Sequence, residues 1–221
     1  ETGPKDVGNQ CRLALVKYKL TGDYIDEDKD ALGNGSIMRA LPCALLPMDA
    51  WSLADGSSPA KACSPADGRT LANDDSPTDG PIYLNILQGE ITHKNKTCAD
   101  ILTEYTKIIR DFILGENYKL DSQELLKPSG YIINTYNNAK YFANLQVADA
   151  IIGAVNHGGD ADTIAAITGS MAGARDGYHS LPQEWIDKLD NNIKMKYDAF
   201  TEFLLEKYEK EEKNYGQTNG K

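Results

Sequence analysis

The sequence predicts an all-α fold, and three observations lead to this prediction. Most of the chain divides into segments whose apolar residues recur at helical spacing, as expected of helices that bury one face. Stretches rich in Gly, Pro, Asn and Asp separate these segments and favour turns. The 221 residues, of which 41% are hydrophobic and 25% charged, suffice for one core and would cramp two unrelated domains.

The first third of the chain predicts two helices and a region of ambiguous structure. Residues 9–19 have helical spacing, and Thr21-Gly22-Asp23 ends that helix. After an acidic connector, Gly33-Asn34-Gly35 predicts a turn, and Ser36 can cap a helix over 37–46 that Pro42 could kink. Residues 55–80 have lost this periodicity and predict either a long loop or several short helical turns.

The rest of the chain predicts a series of helices. Segments 82–87, 98–114 and 131–153 have helical spacing, and one apolar stripe on the second contains Ile101, Leu102, Tyr105, Ile108, Ile109 and Phe112. A final pair covers 161–177 and 184–213. We expect one domain over 6–208, a terminal or vector-derived segment at 1–5, and a charged flexible tail at 209–221.

Charge and hydropathy exclude two classes of partner. With 23 basic and 33 acidic residues, the formal net charge is -10 and the pI is about 4.8, so a nucleic-acid partner is not expected. No apolar run reaches the roughly 18–20 residues of a membrane helix, so no membrane partner is expected. No signal peptide is visible, which favours the cytoplasm, although two glycosylation sequons leave secretion open.

The most informative motif lies between residues 157 and 163. Gly158-Gly159 permits a tight turn, and Asp160, Asp162 and Thr163 then place three oxygen-bearing side chains at the start of a helix. Converging oxygen ligands suit Mg²⁺, Mn²⁺ or Ca²⁺. The alternative is that the two carboxylates only cap and solvate the helix, which is the common use of Asp at this position.

Two further features have both a functional and a structural interpretation. His157 could act as an acid, a base or a ligand, or could be a residue with satisfied hydrogen bonds. The Gly33-Asn34-Gly35 turn could form a cradle for a phosphate or a ribose, or could be only a turn. No functional surroundings are predicted for His93 and His179.

Five blocks of the sequence, taken in order, resemble a known family. They are DVGNQCRLAL, GNGSIMRALP, GYIINTYNNAKY, AVNHGGDADTIAAITGSMAGARDGY and LPQEWIDKL. Together they resemble the ADP-ribosylglycohydrolase family, and the resemblance extends from about Asp6 to Leu189. It implies an orthogonal multi-helix bundle and the hydrolysis of an ADP-ribosyl glycosidic bond.

The resemblance also implies a site. The family has two Mg²⁺ or Mn²⁺ ions, and Asp160, Asp162 and Thr163 match one of its ligand sets. The loop that holds ADP-ribose, or the ADP-ribosylated substrate, matches Gly33, Asn34, Gly35, Ser36 and Met38, and we expect further ligand contacts from His157, Gly158 and Gly159. In the family mechanism the metals orient water toward the anomeric carbon while a carboxylate handles the proton. No residue of this chain is assigned as that carboxylate.

One departure from the family pattern leaves the activity open. Family members have a Thr-Asp-Asp-Thr motif well upstream of the loop, and this sequence has none before Gly33. We therefore expect the domain to be N-terminally truncated. Three cases fit: a fragment of a longer enzyme, a chain completed by a second chain or oligomer, or a degenerate relative with a binding or structural role and no catalytic activity. In the first two cases, apolar side chains should be exposed where the missing part would lie.

Overall fold

The all-α prediction is confirmed in the computed structural model, which describes residues 7–47, 80–122 and 124–218. The regular elements in these ranges are nine α-helices and two short 3₁₀ turns, Ile37–Arg39 and Tyr178–Ser180. The helices are α1 Asn9–Thr21, α2 Leu41–Ala44, α3 Gly80–Glu90, α4 Lys96–Ile113, α5 Ile132–Ala143, α6 Val147–Asn156, α7 Ala161–Asp176, α8 Gln183–Asp187 and α9 Asn191–Thr218. None of these described helices is both long and apolar enough to span a bilayer.

Helix α4 lies at the centre of the hydrophobic core, as its predicted stripe requires. Five of the six stripe residues are buried, and Ile101 packs partly buried against them. Ile132 and Ala139 of α5 and Met171 of α7 belong to the same cluster. Asn95 caps α4 by accepting a hydrogen bond from the Thr97 amide at 2.8 Å. The apolar period of one helix therefore located the core correctly.

The predicted single helix over 37–46 is wrong. The chain forms a 3₁₀ turn at Ile37–Arg39 and then the short helix α2, with Pro42 in its first turn. Ser36 makes no capping bond, because its backbone is already helical and its buried hydroxyl lies beside the Cys98 thiol. A cap needs an extended backbone and a side chain turned back toward the helix amides.

The predicted helix over 131–153 is divided into α5 and α6 by a break at residues 144–146. Arg175 of α7 donates to the carbonyl oxygens of Ala143 and Leu145, the latter at 2.6 Å. The side-chain amide of Asn144 accepts a hydrogen bond from the Leu120 amide and donates one to the Leu120 carbonyl. These tertiary bonds satisfy the polar groups that the break releases.

Several sequence predictions fall at or beyond the limits of the described residues. The proposed segment 1–5 and all but the last residue of the ambiguous stretch 55–80 lie outside them. The expected boundary at 208 falls within α9, which is helical to Thr218. On α1, Leu15 and Leu20 are 58% and 78% exposed. A second chain or oligomer covering such residues stays a prediction.

A short backbone pairing joins the loop at 33–36 to the segment just before α5. The Asn34 amide donates to the Gly130 carbonyl at 3.0 Å, and the Ile132 amide donates to the Leu32 carbonyl at 2.8 Å. An isolated antiparallel bridge joins Gly33 to Tyr131 between these bonds. The loop at 33–36 is thereby fixed beside the start of α5.

Candidate active site

Asn34 joins three segments of the chain that are distant in sequence. Its Nδ2 donates to the Thr135 Oγ1 of α5 at 3.0 Å and to the carboxylate of Asp160 at the start of α7. Thr135 in turn donates to the Ser129 carbonyl at 2.9 Å. The predicted ligand loop and the predicted metal turn therefore meet at one place.

Chemistry decides the orientation of the Asn34 amide. An ionised carboxylate can only accept hydrogen bonds, so the group beside Asp160 must be the NH₂ of Asn34. The Thr135 hydroxyl uses its proton for Ser129 and therefore also accepts from Asn34. The Asn34 Oδ1, by contrast, has no hydrogen-bond donor among the described residues, so this acceptor remains available to a ligand.

Asp160 does not serve as a cap for α7. It occupies the N-cap position, but its side chain accepts no hydrogen bond from the helix amides and instead contacts Asn34. Asp162 is exposed in the first helical turn, and Thr163 is buried. In the described part of the chain, neither carboxylate forms an ion pair with a Lys or Arg. Capping therefore fails to account for Asp160, whereas the exposure of Asp162 agrees with the alternative that this carboxylate is solvated.

The residues predicted to hold a cation offer two carboxylates and one hydroxyl. No group of three His, Cys, Asp or Glu side chains placed to hold a metal occurs within 7–47, 80–122 and 124–218. Two carboxylates with a Thr hydroxyl are hard oxygen donors that suit Mg²⁺ or Mn²⁺, but they would supply only part of a coordination shell. Metal binding by these residues stays a prediction.

The diglycine turn has a steric requirement as well as a conformational one. Gly158 and Gly159 have φ values of +78° and +62°, a region that residues with a Cβ rarely adopt. A Cβ on Gly159 would also lie 2.5 Å from the Cβ of Pro128, whereas one on Gly158 would contact nothing within 4 Å. The loop before α5 therefore packs directly on the turn that carries Asp160.

The Nε2 of His157 has a hydrogen-bonding partner inside the protein in either tautomer. It lies 3.0 Å from the Leu126 carbonyl and 3.2 Å from the Asn138 Nδ2, and its ring meets the Phe142 ring edge-on. Asn138 donates to the same Leu126 carbonyl at 2.9 Å. When the His157 Nε2 carries the ring proton it also donates to this oxygen, and Asn138 is then its neighbour and not a second hydrogen-bond partner. For this nitrogen the structure matches the alternative of satisfied hydrogen bonds.

The predicted loop residues differ in their access to a ligand. Ser36 is fully buried, so neither its side chain nor its backbone is open to a ligand, and its carbonyl accepts a hydrogen bond from Gln88 at 3.0 Å. Met38 is 50% exposed. Gly33 and Gly35 are partly buried, and Arg39 donates to the Gly35 carbonyl at 2.6 Å. The loop is thus held from inside the protein, with Asn34 and Met38 as its accessible side chains.

His93 lies beside the candidate site, a position that the sequence did not predict. We expected it to have no functional surroundings, but it is 3% exposed and its ring lies against Gly33 and Gly35. Burial, together with the charge of Arg39, lowers its pKa to about 4, so the ring is neutral at neutral pH. No local signal could have revealed this contact, because it depends on where the end of α3 is placed relative to the loop.

Comparisons with known proteins identify the family of the chain. A family model described as ADP-ribosylglycohydrolase matches residues 1–215. The chain is 30% identical over 214 residues to the ADP-ribosyl-[dinitrogen reductase] glycohydrolase of Rhodospirillum rubrum, covering 91% of this chain and 66% of that protein. It is 28% identical over 190 residues to an ADP-ribosylarginine hydrolase of Serratia proteamaculans (strain 568), covering 83% and 50%.

A solved structure gives the same fold. An "ADP-ribosylglycohydrolase-related protein complex" superposes with a TM-score of 0.63 at 22% identity, covering 87% of this chain and 67% of that one. The chain spans between half and two thirds of the length of the two curated relatives above. The match to the family model and the order of the sequence motifs lead to one conclusion: the chain belongs to the ADP-ribosylglycohydrolase family.

Proposed function

We propose that this chain contributes to the metal-dependent hydrolysis of an ADP-ribosyl glycosidic bond, with ADP-ribose or an ADP-ribosylated molecule as its ligand. The observation that carries the proposal is the bond from Asn34 to the carboxylate of Asp160. It links the loop that the family resemblance assigns to ADP-ribose with the turn that it assigns to metal. The names of the two curated relatives support this class of substrate.

Asp160, Asp162 and Thr163 are the residues that would hold Mg²⁺ or Mn²⁺. Their support is chemical: two carboxylates that no described Lys or Arg neutralises, beside a hydroxyl, at the positively polarised start of α7. When bound, such an ion supplies positive charge that polarises ribose hydroxyls and lowers the pKa of water. The remaining ligands are not assigned to any residue of this chain.

The side chain of Asn34 has two roles in this proposal. Its NH₂ orients the Asp160 carboxylate, because a charge-assisted hydrogen bond restricts the rotation of that group. Its Oδ1 faces no described donor and can accept a hydrogen bond from a ribose hydroxyl. Asn34 would then bind sugar and position a metal ligand at the same time.

A titration of Mn²⁺ by calorimetry tests the metal assignment. We expect heat of binding in the unaltered chain and its loss in Asp162→Ala, because one of two carboxylate ligands is removed. Asp149→Ala is the matched control, since Asp149 is also an acidic residue in the first turn of a helix and lies on α6. Indistinguishable titrations for the unaltered chain and Asp162→Ala would remove the metal from the proposal.

A thermal-shift comparison tests the ligand. ADP-ribose should raise the unfolding midpoint more than ATP or RNA does, because only ADP-ribose matches the proposed site and the chain is acidic. Asn34→Ala should abolish that shift. Stabilisation by RNA alone would refute the proposal.

A hydrolysis assay separates an enzyme from a binding relative. Release of ADP-ribose from ADP-ribosyl-arginine is the first reaction to measure, since one relative is named for that substrate. Serine-linked and O-acyl-linked ADP-ribose should be compared with it. Binding of ADP-ribose without release from any of the three would favour the degenerate member of the family that the sequence left open.

A further inference from the structure

The two glycines of the 33–36 loop are required by a neighbour and not by their own backbone. Neither Gly33 nor Gly35 has a positive φ angle. A Cβ on Gly33 would lie 3.0 Å from the Nε2 of His93. One on Gly35 would lie 2.8 Å from the Cε1 of the same ring and 3.3 Å from the Cys11 Sγ. The His93 ring therefore occupies the space that side chains at both positions would need.

His93 is itself held by bonds from inside the protein. Its backbone amide donates to the Gly89 carbonyl at 2.8 Å, at the end of α3. Its Nδ1 lies 2.8 Å from the hydroxyl of Thr92, and Arg39 donates to that same hydroxyl at 2.7 Å. The ring is thus a fixed support, because its backbone and one ring nitrogen are both bonded.

The loop lies between this support and the residues of the candidate site. On one side His93 contacts Gly33 and Gly35; on the other, Asn34 bonds to the Gly130 carbonyl and to Asp160. Loss of the ring would leave a cavity beneath the loop, and a loop without close packing on one side gains freedom to move.

We propose that His93 is a positioning residue: its ring supports the 33–36 loop from below and so holds Asn34 against Asp160. The assignment is not catalytic, because His93 is buried and reaches the site only through the loop. The support of the loop is a property of the folded chain. Its consequence for ligand binding rests on the function proposed above.

Hydrogen exchange measured by NMR distinguishes positioning from general stabilisation. In His93→Asn the new amide group can keep the bond to Thr92 but no longer fills the space under the glycines. We expect exchange of the Asn34 amide to accelerate about tenfold more than exchange of the Ile109 amide, which lies in the core helix α4 and reports global unfolding. Equal acceleration at both amides, or none at Asn34, would overturn the proposal.

Gly35→Ala provides a second test that does not depend on a change at His93. Its Cβ would press on the intact ring, so the Asn34 amide should again lose protection selectively. In the double variant Gly35→Ala/His93→Asn the methyl group no longer meets the ring and keeps only the contact with the Cys11 Sγ at 3.3 Å, so the fall in unfolding midpoint should be smaller than the sum of the two single changes. Gly173→Ala, where a Cβ would contact nothing within 4 Å, is the control. Strict additivity would refute contact between ring and loop.

Calorimetry with ADP-ribose separates failure of this inference from failure of the proposed function. If the unaltered chain binds ADP-ribose, His93→Asn should weaken that binding about tenfold, as expected for a displaced Asn34. Unchanged affinity would contradict the role of His93 in the site. If the unaltered chain does not bind ADP-ribose, the proposed function fails, and the exchange experiment still decides whether His93 supports the loop.

Discussion

Substitution of Gly159 by Ala tests the packing of the diglycine turn, and Gly158→Ala is its matched partner. Both glycines have positive φ angles, so Ala at either position costs about 1–2 kcal/mol in backbone strain. Reduced entropy of the unfolded chain offsets about 0.4–1 kcal/mol of that cost. Only at Gly159 does a new Cβ meet another residue, at 2.5 Å from the Cβ of Pro128, and overpacking of this kind costs about 1–3 kcal/mol more.

We therefore expect Gly158→Ala to lower the free energy of unfolding by about 1 kcal/mol and Gly159→Ala to lower it by about 2–4 kcal/mol. For a chain of this length, the unfolding midpoint should fall by about 3 °C and about 10 °C, respectively. Urea unfolding followed by circular dichroism measures the first quantity, and scanning calorimetry measures the second.

A double variant identifies the contact that is responsible. Pro128→Gly removes the opposing Cβ, so Gly159→Ala should cost no more in that background than Gly158→Ala costs in the unaltered chain. Equal destabilisation by Gly158→Ala and Gly159→Ala in the unaltered chain would refute the reasoning, because it would mean that Pro128 does not restrict the turn.

Two further predictions concern the effect of pH on stability. The pKa of His93 in the folded protein is lowered to about 4 from 6.5, so between these pH values the unfolded state binds a proton that the folded state does not. The free energy of unfolding should therefore fall by about 3 kcal/mol as the pH falls through this interval. Urea unfolding of His93→Asn should lack this fall, and the same pH dependence in both proteins would contradict the prediction. A hydrogen bond from Arg175, opposed by burial and aided by the Val147 amide, lowers the pKa of Asp176. Asp176→Asn should therefore lower the free energy of unfolding, measured by urea, by about 1–2 kcal/mol at neutral pH. The loss should be much smaller below the lowered pKa, where the native carboxyl is also uncharged. A loss that does not change with pH would show that the charge of Asp176 contributes nothing.

Local physics explains which parts of the fold were predictable from sequence. The stripe on α4 predicted a buried helix because burial of one helical face imposes a period on the sequence, and five of its six residues are buried. The helix over 37–46 was predicted wrongly because Ser36 is a residue type that often caps helices, but here its backbone is helical and its side chain makes no capping bond. Its hydroxyl lies beside Cys98, a residue remote in sequence, and no local rule anticipates such a neighbour.

The same division applies to the candidate site. Residue types alone singled out Asp160, Asp162 and Thr163, since three oxygen donors in one turn is a local pattern, and family resemblance singled out the loop at Gly33–Met38. Composition could not show that Asp160 contacts Asn34 rather than capping α7, because that choice depends on a partner 126 positions away.

The sequence by itself determined the helical class, the family and the two motifs, because periodicity, turn residues and motif order are properties of neighbouring residues. The tertiary structure alone decided the role of His93 and the reason for the glycines beside it. Gly33 and Gly35 suggest conformational freedom when read along the chain, yet their φ angles are not positive and a buried ring explains their size. Contacts of this kind arise from how α3, the loop and α7 pack together, and packing between distant segments leaves no periodic trace in a single sequence.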